Sequence, residues 1–154
     1  MSIRSVIRYL WFMENKFDVR NTEEADYVEL VDWWKWHKFT PPVRIMLPDD
    51  FSSGLMVSKD GENICAGFIY TTSASKLFKV EFIVSTYKVK DRQIRDEALK
   101  FLITGLIYMC KQMGAKLIYT NIWEGKKNLI ESLNECGFLY GSKNCQEMIY
   151  VDNQ

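Results

Sequence analysis

Apolar and polar positions recur along this chain with two spacings, one suited to helices and one to strands. The first strand signal is Val6 to Met13. Asn21 or Thr22 then caps a predicted helix starting near Glu23, with acids in its first turn. Ala25, Val28, Leu30, Val31 and Trp34 form its apolar face, and Pro41 and Pro42 end it. The stretch FTPPVRIMLPDDF has no clean period and reads as a loop with room for a short helical turn. Leu55 to Ser58 and Ile64 to Thr72 flank KDGEN, a glycine turn, and together predict a hairpin. LFKVEFIV, residues 77 to 84, is a further strand.

Asp91 follows as an N-cap. Behind it Ile94, Ala98, Phe101, Leu102, Leu106, Met109 and Met113 share one helical stripe that Gly114 stops. Gly105 lies at the spacing of that stripe. LIYTNIW, residues 117 to 123, predicts another strand, and Lys126 to Cys136 a helix with Leu129, Ile130 and Leu133 inward. Phe138 to Tyr140 and Glu147 to Val151 predict two closing strands. Strand–helix–strand units imply parallel pairing in mid-sheet. The expectation is a single α/β domain of residues 1–154: five to seven strands in one mixed central sheet, flanked by helices on both faces, with an opening between the strands at 77–84 and 117–123.

Composition narrows the function classes. The 154 residues are 47% apolar and 26% charged, with twenty basic and twenty acidic side chains. That balance gives no reason to expect a nucleic-acid or membrane partner. No apolar run reaches membrane-spanning length, and the mixed N-terminus reads as mature protein rather than a signal peptide. Cys65, Cys110, Cys136 and Cys145 form no CxxC pair, and His37 is the single histidine. No metal site is expected; free thiols in a reducing cytoplasm are the better reading.

Chemistry concentrates where the strand at 77–84 runs through a basic turn into the long helix. Proteins hold phosphates in that layout, yet this turn has no glycine. Lys88, Lys90, Arg92 and Arg95 crowd a helix start, where cations oppose the dipole unless an anion lies nearby. They equally make a solvated charge run offset by Asp91, Asp96 and Glu97. In the strand, alternation puts Glu81 with Ile83 on one face and Phe82 with Val84 on the other. Glu81 is a candidate base if its setting is apolar, or an ordinary polar position beside Lys79. Glu62 and Glu124 are lesser candidates. Trp33, Trp34, Trp36, His37 and Phe39 are too many aromatic rings for one buried stripe. Trp34 fits the core, while Trp33 and Trp36 are expected at a cleft mouth or a dimer face. His37 reads as a surface residue at a helix end. Trp123 either walls a channel or packs inside.

The hairpin MVSKDGENICAGFIYTT, the segment FIVSTYKVKDRQIRDEAL and the helix NLIESLNECGF together resemble the GNAT acetyltransferases across roughly Phe17 to Val151. The resemblance implies acetyl coenzyme A as co-substrate. Main-chain groups of Ile83 and Val84 would pair with its pantetheine arm. Lys90, Asp91, Arg92, Gln93, Ile94 and Arg95 would form the pyrophosphate turn, and Asn128 would stand near the family's asparagine. Glu81 would act as base and Asn121 would hold a carbonyl or a water where the sheet parts. Two departures stand out. Gln93 and Arg95 replace the turn's glycines, and Leu133 replaces the tyrosine that protonates the departing thiolate; Tyr140 is no equivalent. The implied function is N-acetyl transfer to an amine, on a small molecule or a protein, by a cytoplasmic protein that could dimerise. The alternative is an inactive module of the same fold that binds or inhibits.

Overall fold

The computed structural model describes residues 16–152. Five strands form one sheet in sequence order: β1 (Asp18–Asn21), β2 (Gly54–Lys59), β3 (Glu62–Thr71), β4 (Leu77–Ser85) and β5 (Leu117–Tyr119). The first three junctions are antiparallel and β4 pairs β5 in parallel. The helices are α1 (Tyr27–Trp36), α2 (Arg92–Gln112) and α3 (Lys127–Glu135), with short 3₁₀ turns at Glu24–Asp26, Arg44–Met46 and Phe51–Ser53. No helix among the described residues is long and apolar enough to cross a membrane.

Helices cover both sheet faces. On one, Ala98, Leu102 and Leu106 of α2 and Leu133 of α3 pack on Leu55, Val57, Ile69, Phe78 and Val80. Gly105 lets α2 settle closely, since a Cβ there would lie 3.2 Å from Leu55 Cδ1. On the other, Leu30, Trp33 and Trp34 of α1 pack on Met56, Ala66, Phe68 and Val84. The β2–β3 hairpin turns at Asp60 and Gly61, both at positive φ (51° and 81°), as its glycine turn requires.

The structure departs from the sequence reading in several places. The strand expected at Val6–Met13 lies outside the described residues, and the first observed strand is Asp18–Asn21. Thr22 and Asn21 do not cap α1. Thr22 Oγ1 donates to the Phe51 carbonyl and Asn21 Nδ2 to that of Ser52, tying the strand end to the turn before β2. The buried face of α1 is rotated: Trp33 is fully buried whereas Val28 is 77% exposed. Tertiary packing on β2 and β3 overrode the stripe read from spacing alone. The two closing strands do not form; residues 138–152 carry no strand pairing.

One polar tie anchors the entry to α1. Arg20 grips Asp26 through two hydrogen bonds of 2.8 Å, and Asp26 also accepts the Glu23 amide at 2.8 Å. Burial works to raise the Asp26 pKa, but these bonds hold it below the usual range. A depressed carboxylate stabilises the fold above its unfolded pKa, and the effect disappears as pH falls through the folded value. Asp26→Ala should cost about 2 kcal/mol at pH 7, as expected for losing charge-assisted bonds at a buried position. Chemical denaturation should show the gap from wild type closing below about pH 4.

Candidate functional site

The site begins where the sheet stops being continuous. Strands β4 and β5 pair only over Leu77–Lys79 and Leu117–Tyr119. Beyond that β4 runs on to Ser85, while residues 120–123 leave the ladder. Strand β4 is also bulged here. Ala66 faces Val84 but Phe68 faces Glu81, so Phe82 and Ile83 together oppose Gly67. Phe82 sits at φ 57°, rare for a bulky residue. Edge-on contacts with Trp34 and Tyr70, each 6.3 Å between centroids, hold its ring. Gly67 leaves the room this requires, because a Cβ would stand 3.0 Å from both Ile83 Cγ1 and Leu106 Cδ1.

The bulge corrects the faces read from simple alternation. Phe82 and Val84 do lie together on the α1 side and Ile83 packs on the α2 side. Glu81, however, pairs with Phe68 and acts on Tyr70, so it shares the α1 face rather than the face of Ile83. The extra residue slips the period by one.

Main-chain directions follow from one bond. The Thr86 amide donates to the Ile64 carbonyl at 2.7 Å. By antiparallel alternation Val84 therefore faces Ala66, and Ile83 and Ser85 turn their groups toward the opening. The Ser85 carbonyl is engaged there: it accepts His37 Nε2 at 2.8 Å. Of the two residues expected to present main chain, Ile83 does so and Val84 is turned into the sheet.

Glu81 lies on the α1 face of β4, ahead of the bulge. Burial raises its pKa and nearby Glu147 adds to that, while Lys79 and a hydrogen bond from the Asn121 backbone oppose it. The structure thus joins Glu81 and Asn121, through the main chain of Asn121. Tyr70 is beside them, its hydroxyl donating to the Met46 carbonyl at 2.8 Å.

The turn into α2 is satisfied from within. The Asp91 carboxylate accepts the amides of Gln93 (3.0 Å) and Ile94 (3.3 Å), and the Asp91 carbonyl accepts that of Arg95 (3.2 Å). Three of the amides expected to cradle phosphate therefore already have partners. Gln93 turns along the helix to Glu97 at 3.0 Å, Arg92 lies 3.6 Å from Asp96, and Lys90 donates to the Tyr87 carbonyl at 3.2 Å. Ile94 packs into the core. Asn128 lines a groove between α2 and α3 with Arg92 and Asp96, outside the β4–β5 opening. Leu133 is buried, and Tyr140 is exposed.

His37 is the residue that sequence reasoning underrated. It is half-buried, not a surface ring. Burial depresses its pKa; the Ser85 carbonyl opposes this, and Lys126 and Arg95 add to the depression. Three cationic or basic groups from α1, α2 and the start of α3 therefore converge at one mouth of the opening. Phe39 spans the same mouth, edge-on to Trp123 at 6.2 Å and 4.7 Å beneath Lys126 Nζ. Trp36, 54% exposed, stacks on Tyr87 at 5.1 Å and lies edge-on to His37. The aromatic excess at the end of α1 was the sequence signal for this clasp, but no local pattern pairs residue 37 with 85 or 39 with 123.

His37 supplies a direct check, being the single histidine. Its ring proton resonances should titrate below the ordinary value of about 6.5, and Lys126→Gln should move the midpoint upward. A midpoint at or above that value would mean the ring is solvated and the convergence absent.

No family model matches the chain, and no curated protein matches it by sequence. Solved structures do. It superposes on N-acetylglutamate synthase from Neisseria gonorrhoeae, crystallised with coenzyme A and L-arginine, at TM-score 0.65 and 14% identity, over 85% of this chain and 29% of that one. An aminoglycoside acetyltransferase from an uncultured soil metagenomic sample matches at TM-score 0.63 and 10% identity, over 91% of this chain and 99% of that one. Glucosamine-6-phosphate N-acetyltransferase from Arabidopsis thaliana matches at 0.58 and 18%, over 88% and 99%. The chain spans under a third of the synthase but almost the whole of the other two. It has the GNAT fold that the sequence resemblance implied.

Proposed function

We propose that this protein transfers an acyl group, acetyl in the simplest case, from coenzyme A to an amine. The observation that carries the reading is the opening beside Ile83. A sheet that parts ahead of a bulge offers an unpaired peptide edge to an extended, amide-bearing chain, and pantetheine is such a chain. Cations gathered by the Ser85 end of β4 and a carboxylate of raised pKa earlier in the same strand suit a polyanionic donor and an amine acceptor respectively. The coenzyme A bound to the gonococcal synthase supports the same donor chemistry.

In this scheme Arg95 and Lys126 attract the phosphates, with Lys90 and Arg92 adding charge nearby, while His37 stays neutral on the Ser85 carbonyl. The Ile83 main chain aligns the arm, and its amide polarises the thioester carbonyl. Glu81 accepts the proton of the attacking amine, directly or through water, so that the nitrogen lone pair is free to form the new N–C bond as the thiolate leaves. Asn121 holds the Glu81 carboxylate in place. Most of the acceleration comes from positioning two reactants in one cleft. The acceptor is an amine on a small molecule or a protein.

A second reading has its own observation. Asp91 already fills the Gln93 and Ile94 amides, and His37 already holds the Ser85 carbonyl. A domain whose main-chain donors and acceptor are internally satisfied could serve as an inactive binding module. Calorimetric titration with acetyl coenzyme A at low and high salt separates the two. The enzyme reading expects saturable binding that weakens with salt, because phosphate attraction is screened. It also expects Lys126→Glu to weaken binding at least tenfold. No heat at millimolar ligand with a folded sample would favour the module.

Turnover gives a pH test. A base of raised pKa must be deprotonated to act, so kcat/KM should climb with pH through the Glu81 titration. Glu81→Gln should cost about 100-fold, the lower range for general-base catalysis, and abolish that limb. The same change should raise the melting temperature at pH 7, since a carboxyl with a raised folded pKa destabilises the fold once it ionises.

A further inference from the structure

An aromatic stack stands beside the basic turn, and the acyl-transfer scheme makes no use of it. Trp36, the last residue of α1, lies nearly parallel to Tyr87, with 5.1 Å between ring centroids and 10° between planes. Tyr87 is pinned in three ways. Its hydroxyl donates to Asp32 at 3.0 Å, its carbonyl accepts Lys90 Nζ at 3.2 Å, and its ring packs on Trp36. The helix end that carries Trp36 is closed as well. The His37 amide donates to the Trp33 carbonyl (3.1 Å) and the Phe39 amide to that of Trp34 (3.0 Å). Even so, Trp36 remains 54% exposed. A lone exposed ring is ordinary, but this one is held rigid and has cations around it. Lys88 Nζ lies 6.0 Å from the Tyr87 centroid, and Lys90 is exposed in the same turn. Arg95 and Lys126 act on His37, whose ring is edge-on to Trp36 at 4.9 Å. Asp32, the carboxylate that touches the pair, is tied to the Tyr87 hydroxyl.

We propose that the Trp36–Tyr87 stack is the platform for a purine base, so that a nucleotide is held here by stacking and side-chain charge rather than by main-chain amides. That this nucleotide is the adenosine end of coenzyme A rests on the acyl-transfer reading; the platform itself does not. The turn makes the division necessary. Asp91 occupies the Gln93 and Ile94 amides with its carboxylate and the Arg95 amide with its carbonyl. A phosphate arriving there meets side-chain cations, not a cradle of free donors. Exposed cations attract in a way that salt screens, and they do not select a base. A flat aromatic face supplies the missing contact, because every base has a π-face to lay on it. Pinning the stack beforehand leaves little order to be lost on binding. Charge also selects the occupant. A second copy docked face to face would set Lys88 and Lys90 against the same pair, and like charges oppose that. A nucleotide brings the phosphates that neutralise them.

Titration of the intact chain with adenosine 3′,5′-bisphosphate and with coenzyme A, followed by calorimetry and tryptophan fluorescence, tests the platform. The bisphosphate alone should bind and quench the emission. Trp36→Leu should remove the quenching and weaken both ligands at least tenfold, as expected for one base–aromatic stack. Trp36→Phe should restore most of the affinity, because a flat face is what the base needs. The ratio between wild type and Trp36→Leu should stay constant as salt rises, since salt screens only the phosphates. Circular dichroism checks that both variants are folded. Coenzyme A that binds wild type and Trp36→Leu equally well overturns the platform and leaves the donor assignment standing. A lower sedimenting mass for Trp36→Leu with nucleotide affinity unchanged also overturns it, and makes the ring a subunit contact. Bisphosphate that binds and quenches through Trp36, while acetyl coenzyme A supports no transfer to any amine, keeps the platform and removes the acyl-transfer reading. No binding of either ligand to the folded protein overturns both.

Discussion

The geometry of the site depends on one steric fact: two residues of β4, Phe82 and Ile83, stand against a single residue of β3, and that residue is Gly67. Without a side chain at 67 the Ile83 and Leu106 side chains can close in, each with an atom 3.0 Å from where a Cβ would stand. The strand absorbs its extra residue by bending, with Phe82 in the left-handed region. Trp34 and Tyr70 hold Phe82 there. Strand β4 already stops pairing with β5 after Lys79, and past the bend peptide groups that a flat sheet would have consumed face an opening. Aromatic packing from α1 thus sustains a gap on the far side of the strand.

Charge is arranged around that gap in an uneven way. At the α2 entrance the protein supplies its own anion, the Asp91 carboxylate, to cap the helix. An incoming phosphate must displace it or use the amides before Gln93. Slightly farther in, His37 is kept from protonating by burial and by Lys126 and Arg95. An anion settling between those cations would offset the penalty and favour proton uptake at His37. Earlier in the same strand Glu81, with Glu147 near it, carries the other sign.

Much of the scaffold is legible from local pattern. The β2–β3 hairpin follows from its glycine turn, α2 from Asp91 and a seven-member stripe, and β4 from its apolar run. Each signal is contained within a short window. What stayed hidden depends on contacts between distant segments. Trp33 and Trp34 are adjacent and similar, and only the surface of β2 and β3 decides that both are buried. The bulge reverses the face of Glu81 relative to Ile83, and a period-2 reading cannot detect an inserted residue. The pairing of His37 with Ser85 spans forty-eight positions. The closing strands were read from composition, but strand formation requires a partner edge, and 147–151 has none within the described fold.

Amide hydrogen exchange at Ile83 tests the central claim most directly, that the parted sheet offers its main chain to an extended ligand. Without ligand the Ile83 amide should exchange rapidly while that of Val84, turned toward Ala66, is protected. Saturating acetyl coenzyme A should protect Ile83 at least tenfold and leave Val84 unchanged. An Ile83 amide already protected in the free protein, or one indifferent to bound ligand, would contradict the account.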